Sequence, residues 1–328
     1  MQKTDARLGR IVRLLMSHAT VVVSGTKIAD EIGISRSEVW RLIQQLRELG
    51  VSIAGHPATG YRLQAIPDLL LPDILSPLLQ GTIFDNQTHH YYTIGSTNTV
   101  AMEAGSTGAP EGSVFLAERQ IAGRGRGAHN WHSAQSAGIY CSAVLRPALP
   151  PSEALILSLA AGLAVHAAIR AIDPAVSLDL KWPNDLLIHG KKIAGILTEM
   201  NSEATRVRYI VVGIGINVNQ ASFPSELQRT ATSLRLATGT EWSRVELCAA
   251  LLKSLNREYL DLLQKPGAHD SILSRFQEHS SSARGCQVQV EENGGFEGVT
   301  EGLDQRGFLQ VRMAHGVRTV LSGTVRPK

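Results

Sequence analysis

The spacing of apolar residues changes twice along this 328-residue chain, and that change constrains the architecture more than any other feature. Over residues 4–64 apolar side chains return at helical intervals. From Tyr91 to about Leu263 strand-like runs alternate with amphipathic helices. From about Ala283 to Lys328 apolar and polar residues alternate one by one. Three periods cannot share one kind of layer, so the chain is predicted to be α+β and to divide at residues 1–65, 66–282 and 283–328. The length suits two or three domains of roughly 100–200 residues each.

In the first part Leu8, Ile11, Val12 and Leu15 mark a helix. Ser24-Gly25-Thr26 opens a second, which Gly33 stops. Ser35 is placed to cap a third, with Glu38 three residues on as in a capping box. Val39, Leu42, Ile43, Leu46 and Leu49 form its apolar stripe, and Gly50 closes it. Val51 to Leu63, with Gly55 and Thr59-Gly60 at turns, predicts a two-stranded wing. Two helices about a tight turn describe a helix-turn-helix, which would lay Ser35 to Gln45 in a DNA major groove. Arg36, Ser37, Arg41 and Gln44 then lie near bases or phosphates. Trp40 reads equally as packing or as a groove contact. The alternative for the whole segment is a helical packing module without nucleic acid. Ile66-Pro67-Asp68 and Pro72 to Pro77 predict a linker.

Hydrophobic residues at 43% and charged residues at 19% exclude a disordered chain, a collagen and a coiled-coil rod. A net charge of +3 leaves any nucleic-acid contact to a local basic patch. Cys141, Cys248 and Cys286 are too scattered for a zinc motif or a disulfide framework, so a reducing cytoplasm is expected. The N-terminus lacks a secretory pattern. The apolar stretch from Leu155 to Val165, broken by Ser158 and closed by His166 and Arg170, is expected to fall short of the ~20 residues of a membrane span.

The central part is expected to hold strands at Ser113–Ala117, Ile139–Leu145 and Tyr209–Ile216, and helices at Thr97–Ala104, Ser152–Ala171 and Ser243–Leu263. Three clusters within it could carry chemistry. Gly123-Arg124-Gly125-Arg126-Gly127-Ala128-His129-Asn130-Trp131 is too rich in glycine for a helix or strand core. Its two guanidinium forks suit a phosphate or carboxylate, and a loop that orders on an anion would exclude water. It lacks the spacing of a P-loop or a dinucleotide-binding turn; a solvated surface turn is the alternative. Lys181-Trp182-Pro183-Asn184-Asp185 follows a strand-like run. Lys181 could neutralise charge developing at phosphorus, or simply form a salt bridge beside a packed Trp. Gly195, Gly213 and Gly215 interrupt apolar strands, which admits either a ligand or close packing. Ser96-Thr97-Asn98 reads as a helix cap or as a polar cage.

In order and spacing, these strings resemble the biotin protein ligases, and the whole chain resembles the bifunctional kind that also represses transcription. The strings are Ser96-Thr97-Asn98, Gln120, Gly123 to Arg126, Trp131, Lys181 to Leu186, Lys192 to Leu197 and Gly213 to Asn217. The resemblance implies a winged helix-turn-helix, a mixed α/β ligase domain and a small SH3-like barrel. It implies that biotin is activated by ATP as biotinyl-5′-adenylate and passed to a lysine of a biotin carboxyl carrier protein. Arg126 and Lys181 match the positions that contact the reacting groups. Ser96, Thr97, Asn98, Gln120, Arg124, Gly125, Arg126, Lys181 and Gly195 match the biotin site. Gly123, Trp131, Asn184, Gly215 and Asn217 match the ATP or adenylate site. Ser35, Arg36, Ser37, Trp40, Arg41 and Gln44 would meet operator DNA of a biotin operon through a ligand-dependent homodimer. Mg²⁺ would accompany ATP, with no metal site of the chain's own, no tightly bound prosthetic group and no membrane contact. One departure is visible: where many relatives carry two further arginines, this loop has Gly127 and His129. A lipoate ligase on the same fold and a ligand-sensing repressor without ligase activity are the alternatives.

Overall fold

A computed structural model describes residues 2–65, 67–291, 295–321 and 323–328. Ile66, at the expected linker, and Gly294, in an expected turn, lie outside the described residues. The first unit holds helices α1 (Gln2–Ser17), α2 (Gly25–Ile32) and α3 (Arg36–Glu48), then the hairpin β1 (Ile53–His56) and β2 (Gly60–Leu63). Ser24 Oγ accepts from Lys27 N at 3.1 Å, and Gly33 stops α2 in the left-handed region at φ 76°. Ser35 Oγ accepts from Glu38 N at 3.2 Å. Only this half of the expected capping box forms, because the Glu38 carboxylate turns outward to Arg41 instead. Ile11, Leu15, Ile28, Leu42, Ile43 and Leu46 are fully buried and define this unit's core.

The expected linker is a structured strap that ends in α4 (Pro72–Leu75). Leu69 and Leu71 are buried in the first core, whereas Leu70, between them, is buried in the core of the central domain. The buried Arg244 holds Asp68 through both its carboxylate and its carbonyl. Arg244 also donates to Glu118 Oε2 at 2.7 Å, while Glu118 Oε1 accepts from Leu70 N at 2.9 Å and from His90 Nε2 at 3.0 Å. Burial alone would raise the Glu118 pKa. Arg244 and the His90 and Leu70 hydrogen bonds outweigh that and hold it at about 2.

The central domain is a seven-stranded sheet with two helical faces. Its strands are β3 (Thr88–Tyr91), β4 (Val114–Ala117), β5 (Gly138–Leu145), β6 (Asp179–Lys181), β7 (Asp185–Ile188), β8 (Lys191–Ser202) and β9 (Val207–Asn217), in the order β3-β4-β5-β9-β8-β7-β6. β3 and β4 are parallel and the other pairs antiparallel. α5 (Thr97–Ser106) covers one face with a small core of Ala101, Phe115, Val144, Tyr209 and Val211. The main core lies under α6 (Leu155–Ile172), α8 (Arg244–Gln264) and α9 (Ala268–Glu278), with the short α7 (Leu234–Thr238) beside it. Pro151–Ile172, 22 residues with an 18-residue window at mean hydropathy 1.9, is long and apolar enough to cross a membrane, contrary to the expectation from Leu155 to Val165. Its burial accounts for that composition: Ser158 is itself buried, and α6 packs against the sheet, α8 and α9.

The last unit is a five-stranded antiparallel sheet of β10 (Arg284–Glu291), β11 (Phe296–Leu303), β12 (Leu309–Met313), β13 (Gly316–Val320) and β14 (Thr324–Pro327), in the order β13-β12-β11-β10-β14. Its Val288, Val290, Leu309 and Val311 join the main core. Trp182 Nε1 fixes it by donating to Gly307 O at 2.8 Å.

Candidate active site

A cleft of about 420 Å³ opens between the N-terminus of α5, strands β8 and β9, and the Gly123–Trp131 loop. Its inner end is polar and buried. Ser96 occupies the cap position of α5 without capping it, so the Ser96-Thr97-Asn98 run is a wall of the cleft as well as a helix start. Gln120 Oε1 accepts from Thr97 N at 2.8 Å and from Thr97 Oγ1 at 3.1 Å. The Gln120 amide donates to Ser133 Oγ at 3.3 Å. Ser142, alone among the apolar residues of β5, lies 2.8 Å from Thr97 Oγ1 and 2.6 Å from Asn98 Oδ1. Asn98 Nδ2 donates to Leu197 O at 3.1 Å and Glu199 Oε2 at 3.0 Å.

The two readings of the strand glycines turn out to be one. A Cβ on Gly213 would overlap Asn98 Oδ1, and a Cβ on Gly215 would come within 2.5 Å of the Trp131 indole. Gly195, the ladder partner of Gly215, also lies under Trp131. The glycines pack closely, and what they admit are the side chains that shape the cleft.

The outer end is cationic. The loop folds as a tight hairpin, with Arg124 bridged to Asn130 and a kinked turn at Arg126–Ala128 in which Gly127 is left-handed at φ 65°. Arg124 pairs with Glu199 Oε1 at 2.6 Å, and Arg126 Nη1 donates to Gly323 O at 3.3 Å. Lys192 contacts Asp185 at 2.6 Å and lies over the Trp131 ring, 5.5 Å from its centroid. An adjoining open chamber, about 1040 Å³ with the solvent at its mouth, shares Gly125, Arg126, Trp131, Asn184 and Lys192 with the cleft, and Lys181 lines this second chamber rather than the first. Asn184 is held by its amide donating to Ile196 O at 2.8 Å. Cys141 also lines the cleft, but burial pushes its thiol up to about 12, which denies it a nucleophile's role.

Most of the expected site residues therefore meet. Ser96, Thr97, Asn98, Gln120, Arg124, Gly125, Arg126, Trp131, Asn184, Gly195 and Gly215 line the cleft. Gly123 sits behind it and accepts from Trp131 N at 2.9 Å. Asn217 is buried away from it, accepting from Gln220 at 3.1 Å. Sequence reasoning missed Ser142, Lys192 and Glu199. Ser142 had a signal, a small hydroxyl residue inside an eight-residue strand that is otherwise mostly apolar.

In the first unit, Ser35, Arg36, Ser37, Trp40 and Arg41 are exposed and Gln44 half-buried, all on the outer side of α3. Trp40, at 48% exposure, is not a packing residue. Arg41 is tied to Glu38 at 2.7 and 2.9 Å, and Arg36 reaches Pro57 O on the wing at 3.2 Å.

The profile of the Biotin/lipoate A/B protein ligase family matches residues 91–217, and that of an HTH domain matches residues 7–62. The bifunctional ligase/repressor BirA of Bacillus spizizenii is 35% identical over 320 residues, covering 96% of this chain and 97% of that protein. This chain belongs to the bifunctional biotin ligase/repressor family. The biotin–[acetyl-CoA-carboxylase] ligase of Mycobacterium tuberculosis is 36% identical over 234 residues, 69% of this chain and 83% of that protein. The biotin protein ligase of Aquifex aeolicus, solved in complex with biotin and ATP, superposes with a TM-score of 0.64 at 28% identity, covering 74% of this chain and 99% of that one. The family membership accounts for both halves: a ligase cleft in the central sheet and a helix-turn-helix ahead of it.

Proposed function

We propose that the two-chambered cleft activates biotin with ATP as biotinyl-5′-adenylate, and that the same chain then transfers the biotinyl group to a lysine of a biotin carboxyl carrier protein. The observation that carries this reading is the spare hydrogen-bonding capacity of the inner end. Both Asn98 amide protons are used, and its Oδ1 keeps one lone pair. Gln120 has spent one amide proton of two. One acceptor beside one donor suits a cyclic urea, which offers N–H and C=O together. The dithiolane of lipoate would leave both unpaired, at a cost of about 1–3 kcal/mol each, and this favours biotin over the lipoate alternative.

The outer end then receives the carboxylate. Adenylation joins two anions: a carboxylate oxygen attacks the α-phosphorus and pyrophosphate leaves. Arg126, with Lys181 and Lys192 across the second chamber, supplies cationic donors where charge accumulates. Mg²⁺ would arrive on the ATP phosphates and screen their charge. Among the described residues no three His, Cys, Asp or Glu side chains gather as a metal cage, and Asp185 faces Lys192. In the second step the acceptor amine attacks the acyl carbon and AMP leaves. The loop over the cleft excludes water from the mixed anhydride in between.

We infer further that the chain represses a biotin operon: adenylate binding favours a homodimer that presents two α3 helices to a two-fold operator. Three free thiols suit a reducing cytoplasm. The decisive test is transfer of biotin onto a carrier domain, read as a mass increase that requires ATP. Absence of transfer, with biotin still bound, would favour the ligand-sensing repressor instead.

A further inference from the structure

We propose that Glu199 is a positioning residue: a carboxylate latch that ties closure of the Gly123–Trp131 loop to the state of the polar cage beneath it. The proposal rests on the reading of the cleft as the biotin site. Glu199 lies on β8 just beyond the Lys192–Leu197 stretch, opposite Val211 on β9. Its two oxygens serve two different elements. Oε1 takes Arg124 of the loop at 2.6 Å, and Oε2 takes Asn98 Nδ2 of α5 at 3.0 Å.

An ion pair at this exposure, 49% for the Arg124 side chain and 24% for Glu199, contributes little to folding. Its ends are what distinguish it. The Arg124 end sits in a hairpin closed on itself by Gly125 N to His129 O at 2.7 Å and Trp131 N to Gly123 O at 2.9 Å, and its pair with Glu199 joins that hairpin to β8. The Asn98 end lies against Gly213 and points its Oδ1 into the cage. When the loop lifts, Arg124 leaves, the Glu199 carboxylate is rehydrated, and water competes for the atom that orients Asn98. When a ligand occupies Asn98 Oδ1, Asn98 Nδ2 is held on Glu199, and Glu199 is held where Arg124 can reach it. Ligand binding and loop closure therefore favour each other, and by linkage each does so to the same degree. The device retains the reactive anhydride: it slows escape from the cleft and leaves the chemical steps alone.

The test uses the full chain with Glu199→Gln, Arg124→Ala and the double variant. Three quantities are measured: release of preformed biotinyl-adenylate without acceptor, KM for biotin against kcat for transfer, and thermal unfolding. Glu199→Gln keeps an oxygen for Asn98 and loses the charge that holds Arg124. It should release adenylate about five- to tenfold faster and raise KM, with kcat within about twofold and the unfolding temperature unchanged. Arg124→Ala should release adenylate faster as well, with no claim on its kcat because Arg124 itself lines the cleft, and the double variant should release it no faster than the faster single one, since all three break one link. Glu199→Asp, which restores the charge, should recover part of the retention. Additive effects, or release from Glu199→Gln within about twofold of the parent, would overturn the latch. Unchanged biotin affinity in Asn98→Ala would instead overturn the assignment of the cleft.

Discussion

Gly213→Ala is the smallest change that reaches the heart of the cleft. Gly213 lies in β9 paired with Ser142 on one side and Leu197 on the other, in ordinary extended backbone that alanine adopts readily. The added methyl overlaps Asn98 Oδ1 and comes within 2.7 Å of Cγ and 3.0 Å of Nδ2, against an ordinary contact of 3.4 Å or more, so the whole amide must move. Displacing it breaks the bond from Ser142 at 2.6 Å and weakens those to Leu197 O and Glu199 at 3.1 and 3.0 Å. At about 0.5–1.5 kcal/mol net for each of these bonds, the cage loses about 2–4 kcal/mol of organisation toward its ligand. That corresponds to a fall of about 30- to 700-fold in biotin affinity. Calorimetric titration of the folded variant with biotin measures it. An affinity within about threefold of the parent would show that Asn98 does not organise the cage.

Three further outcomes test other parts. Lys181→Ala should slow adenylate formation, read as pyrophosphate release, by about 10²–10³ while biotin binding falls less; wild-type-like adenylation would remove Lys181 from the reaction. Glu118, held at about 2 against an ordinary 4.5, contributes stability that is present above about pH 4.5 and is lost as pH falls through its folded value. Acid unfolding between pH 5 and 2 should therefore flatten in Glu118→Gln, which starts less stable at neutral pH; an acid limb as steep as the parent's would refute that. Arg36→Ala should lower the salt slope of log K for operator DNA by about one unit and leave biotin transfer intact; an unchanged slope would take Arg36 off the phosphates.

The parts of this site legible in sequence were those whose residue types are odd for their context. Three glycines with two arginines cannot be a helix or a strand core, so the loop stood out. Ser96-Thr97-Asn98 before an apolar helix was recognisable as cap or cage, and the structure makes it a wall of the cleft at the start of α5, with no capping bond from Ser96. Other members were invisible because the sheet recruits them from a distance. Ser142 meets Asn98 across 44 residues, and Glu199 meets it across 101. Lys192 opened one of the matched strings with no site role attached to it, and only the β7–β8 hairpin brings it to Asp185 beside Trp131. Asn217 lies in the other direction: it ends the matched run but turns to Gln220, away from the cleft. The apolar stretch at α6 misled on length because a helix buried on most sides carries no polar stripe to mark where its span ends.

The strap between the two halves behaves like a reading frame. Leu69 and Leu71 are addressed to the DNA-binding core and Leu70 to the ligase core, with Asp68 fixed by Arg244 as the point from which the count starts. Inserting or deleting a single residue between Asp68 and Leu71 would exchange those addresses, just as a one-residue slip in a strand turns every side chain to the wrong face. Connectors between domains ordinarily drift in length at little cost. This one cannot, so the DNA-binding head can be exchanged between relatives only when the strap travels with it, cut on the ligase side of Leu71.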